Sequence, residues 1–225
     1  MTKKDILEIA KPILFNTDMV KAILDDRKTK TSRLLKPQPI FKNGLWTIDG
    51  AGWSDNFSSV WVIHGHSIYN NMKYKPSDYL YVRETWSTQR SNECIGSQTG
   101  RCPYDSCETA PGPCFGKEYI YKATDRLDSS YEKWHPSIHM PKAAARIFLQ
   151  VKDVCVKRLQ NMTLDDFIAE GIVLRPEAFN DPENAYLQAK KLFTSLWDST
   201  IPKKILDEYG WNANPWVWVY DFERI

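Results

Sequence analysis

The stretch Thr17 to Leu35, TDMVKAILDDRKTKTSRLL, joins an amphipathic helix to a basic turn, and the rest of the chain reads outward from it. Thr17 is placed to cap the helix, and Val20, Ile23 and Leu24 fall on one face at helical spacing. The apolar pattern then stops. Arg27, Lys28, Lys30, Arg33 and Lys36 crowd in, with hydroxyls between them at Thr29, Thr31 and Ser32. A helix end followed by alternating cations and hydroxyls forms a cradle for an anionic or polar ligand such as a nucleotide. Lys28 and Thr31 bring an amine and a hydroxyl to within three residues of each other. A lysine acts as base toward a hydroxyl only if its pKa falls well below about 10.4. A solvated basic turn is the other reading of the same residues.

Upstream, Pro12 to Phe15 reads as a short strand. Downstream, Pro37 and Pro39 force an extended path. Leu45–Ile48 and Val60–His64 read as strands between glycines, and Trp46 and Trp53 are candidates for a barrel wall or a groove. The segment Asp78–Trp86, DYLYVRETW, alternates most clearly. Leu80, Val82 and Glu84 share one face, and Tyr79, Tyr81 and Arg83 share the other. A carboxylate on an apolar face must be paired or hydrogen-bonded, or its pKa rises. Glu84 is therefore either one half of a salt bridge with an arginine or a site carboxylate.

Residues 87–116 lose this periodicity and hold Cys94, Cys102, Cys107 and Cys114, four of the five cysteines. An insertion this long calls for a pin. Structural zinc held by four thiolates is one expectation, though the paired C-x2-C spacing is missing; unmetallated thiols and disulfides are the alternatives. Cys155 lies in an apolar strand and reads as a buried small hydrophobe.

The segment WHPSIHMP presents Trp134, His135, Ser137 and His139 on a backbone stiffened by prolines, as a loop offered to a ligand or as packing. The two histidines four apart also suggest a metal on a helix, against which Pro136 and Pro141 argue. A long strand follows from Ile147 to Leu159, bent near Asp153. Thr163 opens a short helix with Asp166 at its third position and Gly171 at its end. Asp181-Pro182 opens a longer one, whose expected buried stripe is Ala185, Ala189, Leu192, Phe193, Leu196 and Trp197. NPWVWVYDFERI closes the chain as an aromatic strand. Strands dominate and helices do not alternate strictly with them, which favours an α+β fold built on a mixed β-barrel with peripheral helices.

The net charge of +2 makes no global case for nucleic acid, so any such case is local. No run of about 18 apolar residues suggests a membrane span. The N-terminal residues lack the apolar centre of a signal peptide, so a cytoplasmic protein with reduced thiols is expected.

Four runs taken together resemble the ASCH-domain family: ILDDRKTKTSR, DYLYVRETW, WHPSIHMPKAAARIFLQVKDV and NPWVWVYDFERI. The nearest likeness is to the longer ASCH proteins of phages and prophages. The resemblance covers most of the chain and covers residues 87–116 least. It implies one PUA-like domain over residues 1–225, with the cysteine-rich segment inserted, and a role with RNA or modified nucleosides. One branch of the family removes the acetyl group from N(4)-acetylcytidine with a Lys, a Thr three residues on and a later Glu. Those positions are Lys28, Thr31 and Glu84 here, and they are expected to converge. Arg33 matches the family's arginine, and the usual glycine before the lysine is Asp26. Substrate contacts are expected from Arg27, Arg33, Arg83, Trp86, Trp134, His135 and Ser137. A non-catalytic reader of RNA and a phage partner-binding protein are the alternatives.

Overall fold

The computed structural model describes residues 2–48, 51–54, 59–61, 72–94, 115–126 and 133–225. The chain groups into two compact units. The first takes Met1–Lys11, Ala22–Tyr81 and Ile147–Ile225; the second takes Pro12–Lys21 and Val82–Arg146.

The spine of the first unit is the pair β10 (Phe148–Arg158) and β11 (Trp216–Arg224), antiparallel along their whole length. The register shifts between Val151 and Asp153, where the sequence predicts a bend. The other edge of β10 is divided at that irregularity. β7 (Tyr79–Arg83) pairs with Phe148, Leu149 and Gln150, and β6 (Ser59–Trp61) pairs with Cys155, Val156 and Lys157. β2 (Lys30–Leu34) flanks β11, setting Thr31 opposite Tyr220 and Arg33 opposite Trp218. The order β7-β10-β11-β2 is open-ended. The fold is α+β with a multi-stranded sheet, and among the described residues no pairing closes the expected barrel.

The sheet is buried because a core of aromatic residues packs on it. Phe167 of α3 (Leu164–Ala169) and Phe193 and Trp197 of α4 (Pro182–Thr200) meet Trp211, Val217 and Val219. In α4 the buried residues are Ala185, Ala189, Phe193 and Trp197, an i, i+4 stripe. Leu192 was expected inside but is 48% exposed, since it stands one residue off that stripe. Cys155 is buried and free, and burial pushes its thiol up to about 11. A small sheet, β3 (Ile40–Lys42), β4 (Leu45–Ile48) and β5 (Ala51–Ser54), brings Trp46 edge-on to Trp216, with the Arg158 guanidinium over both rings.

After α1 (Lys3–Ile9), β1 (Lys11–Leu14) leads to α2 (Thr17–Leu24), and the second unit takes most of both, from Pro12 to Lys21. Asn16, not Thr17, caps that helix: its Oδ1 accepts from the Met19 N–H at 2.8 Å. The expected strand Asp78–Trp86 is two strands. β7 ends at Arg83, and β8 (Trp86–Cys94) starts a hairpin with β9 (Phe115–Tyr121). The second half of the Val60–His64 strand, residues 95–114 and the side chains of Trp53 and Cys94 lie outside the described residues. Among those described, no helix is long and apolar enough to cross a membrane.

Candidate functional site

The basic turn leaves α2 through Asp26, whose φ of +55° is a left-handed conformation that glycine adopts with less strain than other residues. The Arg27 and Lys28 N–H groups both donate to Ala22 O, at 2.9 and 3.0 Å. Thr29 then donates to Ala169 O and accepts from the Phe222 N–H, which commits the chain to β2. This path alternates the cations. Arg27 stays in an exposed pair with Asp25. Lys28 turns inward and is wholly buried.

The partner of Lys28 is Glu170, which caps α3. Nζ donates to Glu170 Oε2 at 2.6 Å and to the Glu170 carbonyl at 2.8 Å. Glu170 Oε1 accepts from the Ser32 N–H. The fit is close because Gly171, at φ +94°, has no Cβ. One placed there would lie 2.9 Å from Ala22 Cβ and 3.3 Å from Lys28 Cβ. Burial lowers the pKa of Lys28, Glu170 opposes that shift, and the Arg33 charge adds to it. Arg33 itself lies in the field of Glu170, Tyr74 and Tyr220. The Tyr74 hydroxyl is pushed up to about 12 by burial, and Tyr220 higher still.

Thr31 is buried, and its Oγ1 has no hydrogen-bond partner among the described residues, so no bond joins it to Lys28. On the other face of β2, Lys30 and Lys157 both reach Asp166, at 3.1 and 2.6 Å. Burial pushes the Asp166 carboxyl up, but its bonds to Lys157, Thr163 and Lys30 outweigh it and set its pKa at about 2.

Glu84 lies in the second unit and meets an arginine, the first of its two readings. Arg146 Nε donates to Oε1 at 2.8 Å and Nη2 to Oε2 at 3.0 Å. The same guanidinium lies 3.9 Å from the centre of the Tyr121 ring and gives Nη1 to Thr124. Beside Glu84 along the chain, Trp86 and His135 exchange both backbone hydrogen bonds, and their rings stand 5.0 Å apart. Arg83 donates through Nη2 to Ile138 O, next to Ser137. The DYLYVRETW and WHPSIHMP runs are thus held together, bringing Arg83, Trp86, His135 and Ser137 into one neighbourhood; Trp134 is half-buried in the same segment.

Sequence reasoning missed Glu170 and Arg146. Arg146 follows three alanines, with no local pattern around it. Glu170 carries a weak signal, since it directly precedes the glycine that ends a helix. Among the described residues no group of three His, Cys, Asp or Glu is arranged around a metal position; Cys102, Cys107, Cys114 and the Cys94 side chain fall outside what is described.

No family model matches this chain, and neither does any curated protein or solved structure.

Proposed function

We propose that this chain is an RNA- or nucleoside-directed protein of the ASCH type, cytoplasmic and PUA-like in arrangement, that hydrolyses an acyl amide on a modified cytosine such as N(4)-acetylcytidine. One observation carries the reading. A lysine stripped of water, its proton affinity lowered by burial, stands three residues from a buried threonine hydroxyl without a partner. A desolvated lysine and a buried hydroxyl three residues apart have the composition of an activated nucleophile. Hydrogen bonds of this kind are often open before substrate binds.

In this reading neutral Lys28 takes the Thr31 hydroxyl proton as Oγ1 bonds to the acyl carbon. The C–N bond breaks, and the Lys28 ammonium returns that proton to the departing amine of the base. Lys28 then takes a proton from water as the water oxygen bonds to the acyl carbon. The acyl C–Oγ1 bond breaks, the Lys28 ammonium returns the proton to Thr31 Oγ1, and the acyl group leaves as the acid. Glu84 enters as the third residue on the resemblance alone. Arg27, Arg33, Arg83, Trp86, Trp134, His135 and Ser137 are proposed ligand contacts, through charge, stacking and hydrogen bonds. Cys94, Cys102, Cys107 and Cys114 are proposed to hold a structural zinc, which elemental analysis tests.

The experiment is incubation with a panel of acylated cytosine bases and nucleosides, followed by chromatography for the deacylated product. Lys28→Ala and Thr31→Ala should each lower kcat/KM by about 10²-fold or more. Full hydrolysis by either variant overturns the reading.

A second reading, a non-catalytic reader of RNA, is favoured by the closure of the Lys28 environment and by the Trp86–His135 ring pair. It predicts RNA affinity that falls with salt, and no product from any member of the panel.

A further inference from the structure

Lys28 and Glu170 form a fully enclosed ion pair, with side chains 0% and 3% exposed. Glu170 is not part of the Lys–Thr–Glu pattern. Glu84, the carboxylate that pattern names, already has both oxygens occupied by Arg146. Glu170 offers Lys28 two acceptors on different atoms, its carboxylate and its own carbonyl. A neutral amine has two N–H bonds and one lone pair, so two such acceptors fix the direction of that lone pair. The carboxylate is itself fixed, because its second oxygen is held by the Ser32 N–H. The Lys28 stem passes close to Gly171, where a Cβ would lie 3.3 Å from Lys28 Cβ.

We propose that Glu170 is the positioning residue of the Lys28 base: it aims the amine and stabilises the ammonium that forms when Lys28 accepts a proton. The inference rests on the hydrolytic reading for its purpose, while the titration half of its test stands without it. The arrangement generalises the triad, in which a buried carboxylate orients the base and offsets the charge it acquires. Among the described residues, Glu170 and Arg33 act on the Lys28 charge, with Tyr74 and Tyr220 in the field of that arginine. Arg33 disfavours the ammonium and Glu170 favours it, so removing Glu170 lets the amine lose its proton at lower pH.

The test is a titration of the Lys28 Nζ resonance by nitrogen NMR in the full chain, in wild type, Glu170→Gln and Glu170→Asp, with circular dichroism confirming the fold. Glu170→Gln should lower the proton affinity of Lys28 about tenfold or more, and Glu170→Asp should restore part of it. The acid limb of hydrolysis should move to lower pH by the same amount, with kcat reduced and KM nearly unchanged. An unmoved Lys28 midpoint in folded Glu170→Gln overturns the proposal, as does a moved midpoint with an unmoved hydrolysis profile. A chain that hydrolyses nothing while its Lys28 midpoint follows Glu170 overturns the hydrolytic reading and supports the pairing. Should Glu170→Gln not fold, the Glu170 carboxyl carbon in wild type should inflect at the Lys28 midpoint, and its failure to do so overturns the proposal.

Discussion

Glu84 and Glu170 are withdrawn from water to the same degree, at 1% and 4% exposure, yet they meet different cations. Arg146 reaches Glu84 with a planar fork, stays 25% exposed, and spreads its remaining contacts over Tyr121 and Thr124. A guanidinium keeps its charge at every pH a protein survives, so this pair is static. Lys28 meets Glu170 as a compact ammonium with no exposure at all, and an amine in that position can shed its proton. The same carboxylate burial therefore gives a fixed joint in one unit and an adjustable one in the other. Of the two cations, only the Lys28 amine can lose its proton, so the adjustable pair is Lys28 with Glu170.

The comparison is broken most directly by removing each carboxylate. Glu170→Ala should cost about 3–5 kcal/mol in urea unfolding at neutral pH, because it strands an ammonium in a closed interior. The loss should shrink as pH rises, since the neutral amine is the tolerated form there. In the wild type Lys28 also titrates below its unfolded value of 10.5, so the folded state binds fewer protons than the unfolded one. That contribution makes stability climb with pH through the window below 10.5, and Lys28→Met should flatten it.

Glu84→Ala should cost less, about 2–3 kcal/mol, because Arg146 keeps solvent, Thr124 and the Tyr121 ring. Its cost should stay level as pH rises above neutral, since the arginine cannot neutralise. Equal pH dependence in the two variants would erase the distinction between the pairs.

Gly171→Ala sharpens the contrast from the backbone side. It forces a Cβ against Ala22 and Lys28 at a positive φ, and should cost about 2 kcal/mol in thermal or urea unfolding. A cost near zero would mean that α3 does not need its close approach to the turn.

Asp166→Asn should show the smallest effect, about 1–2 kcal/mol at neutral pH. Asp166 titrates at about 2 in the fold against an ordinary 3.8, so its stabilisation is full above 3.8 and is lost as pH falls toward 2. The variant should lack that part of the acid limb in a pH series of melting curves.

Much of this was legible in the residues. The Thr163–Asp166 capping box, the Asp181 cap with Pro182, the bend near Asp153 and the closing aromatic strand all stand where local patterns place them. Local rules work there because the partners lie within a few residues. They fail at Leu192, where one helical step separates core from solvent, and at Asp78–Trp86, where alternation continues past the point at which pairing stops.

The helix starts at Thr163 and Asp181, the closing aromatic strand, and the place of Glu84 among apolar neighbours follow from residues nearby in the chain, because periodicity and turn chemistry act over one or two turns. The partners of the buried charges do not. Glu170 lies 142 residues from Lys28, and Arg146 lies 62 from Glu84. Which cation meets which carboxylate depends on packing between elements that no local pattern encodes, and only the tertiary structure decided it.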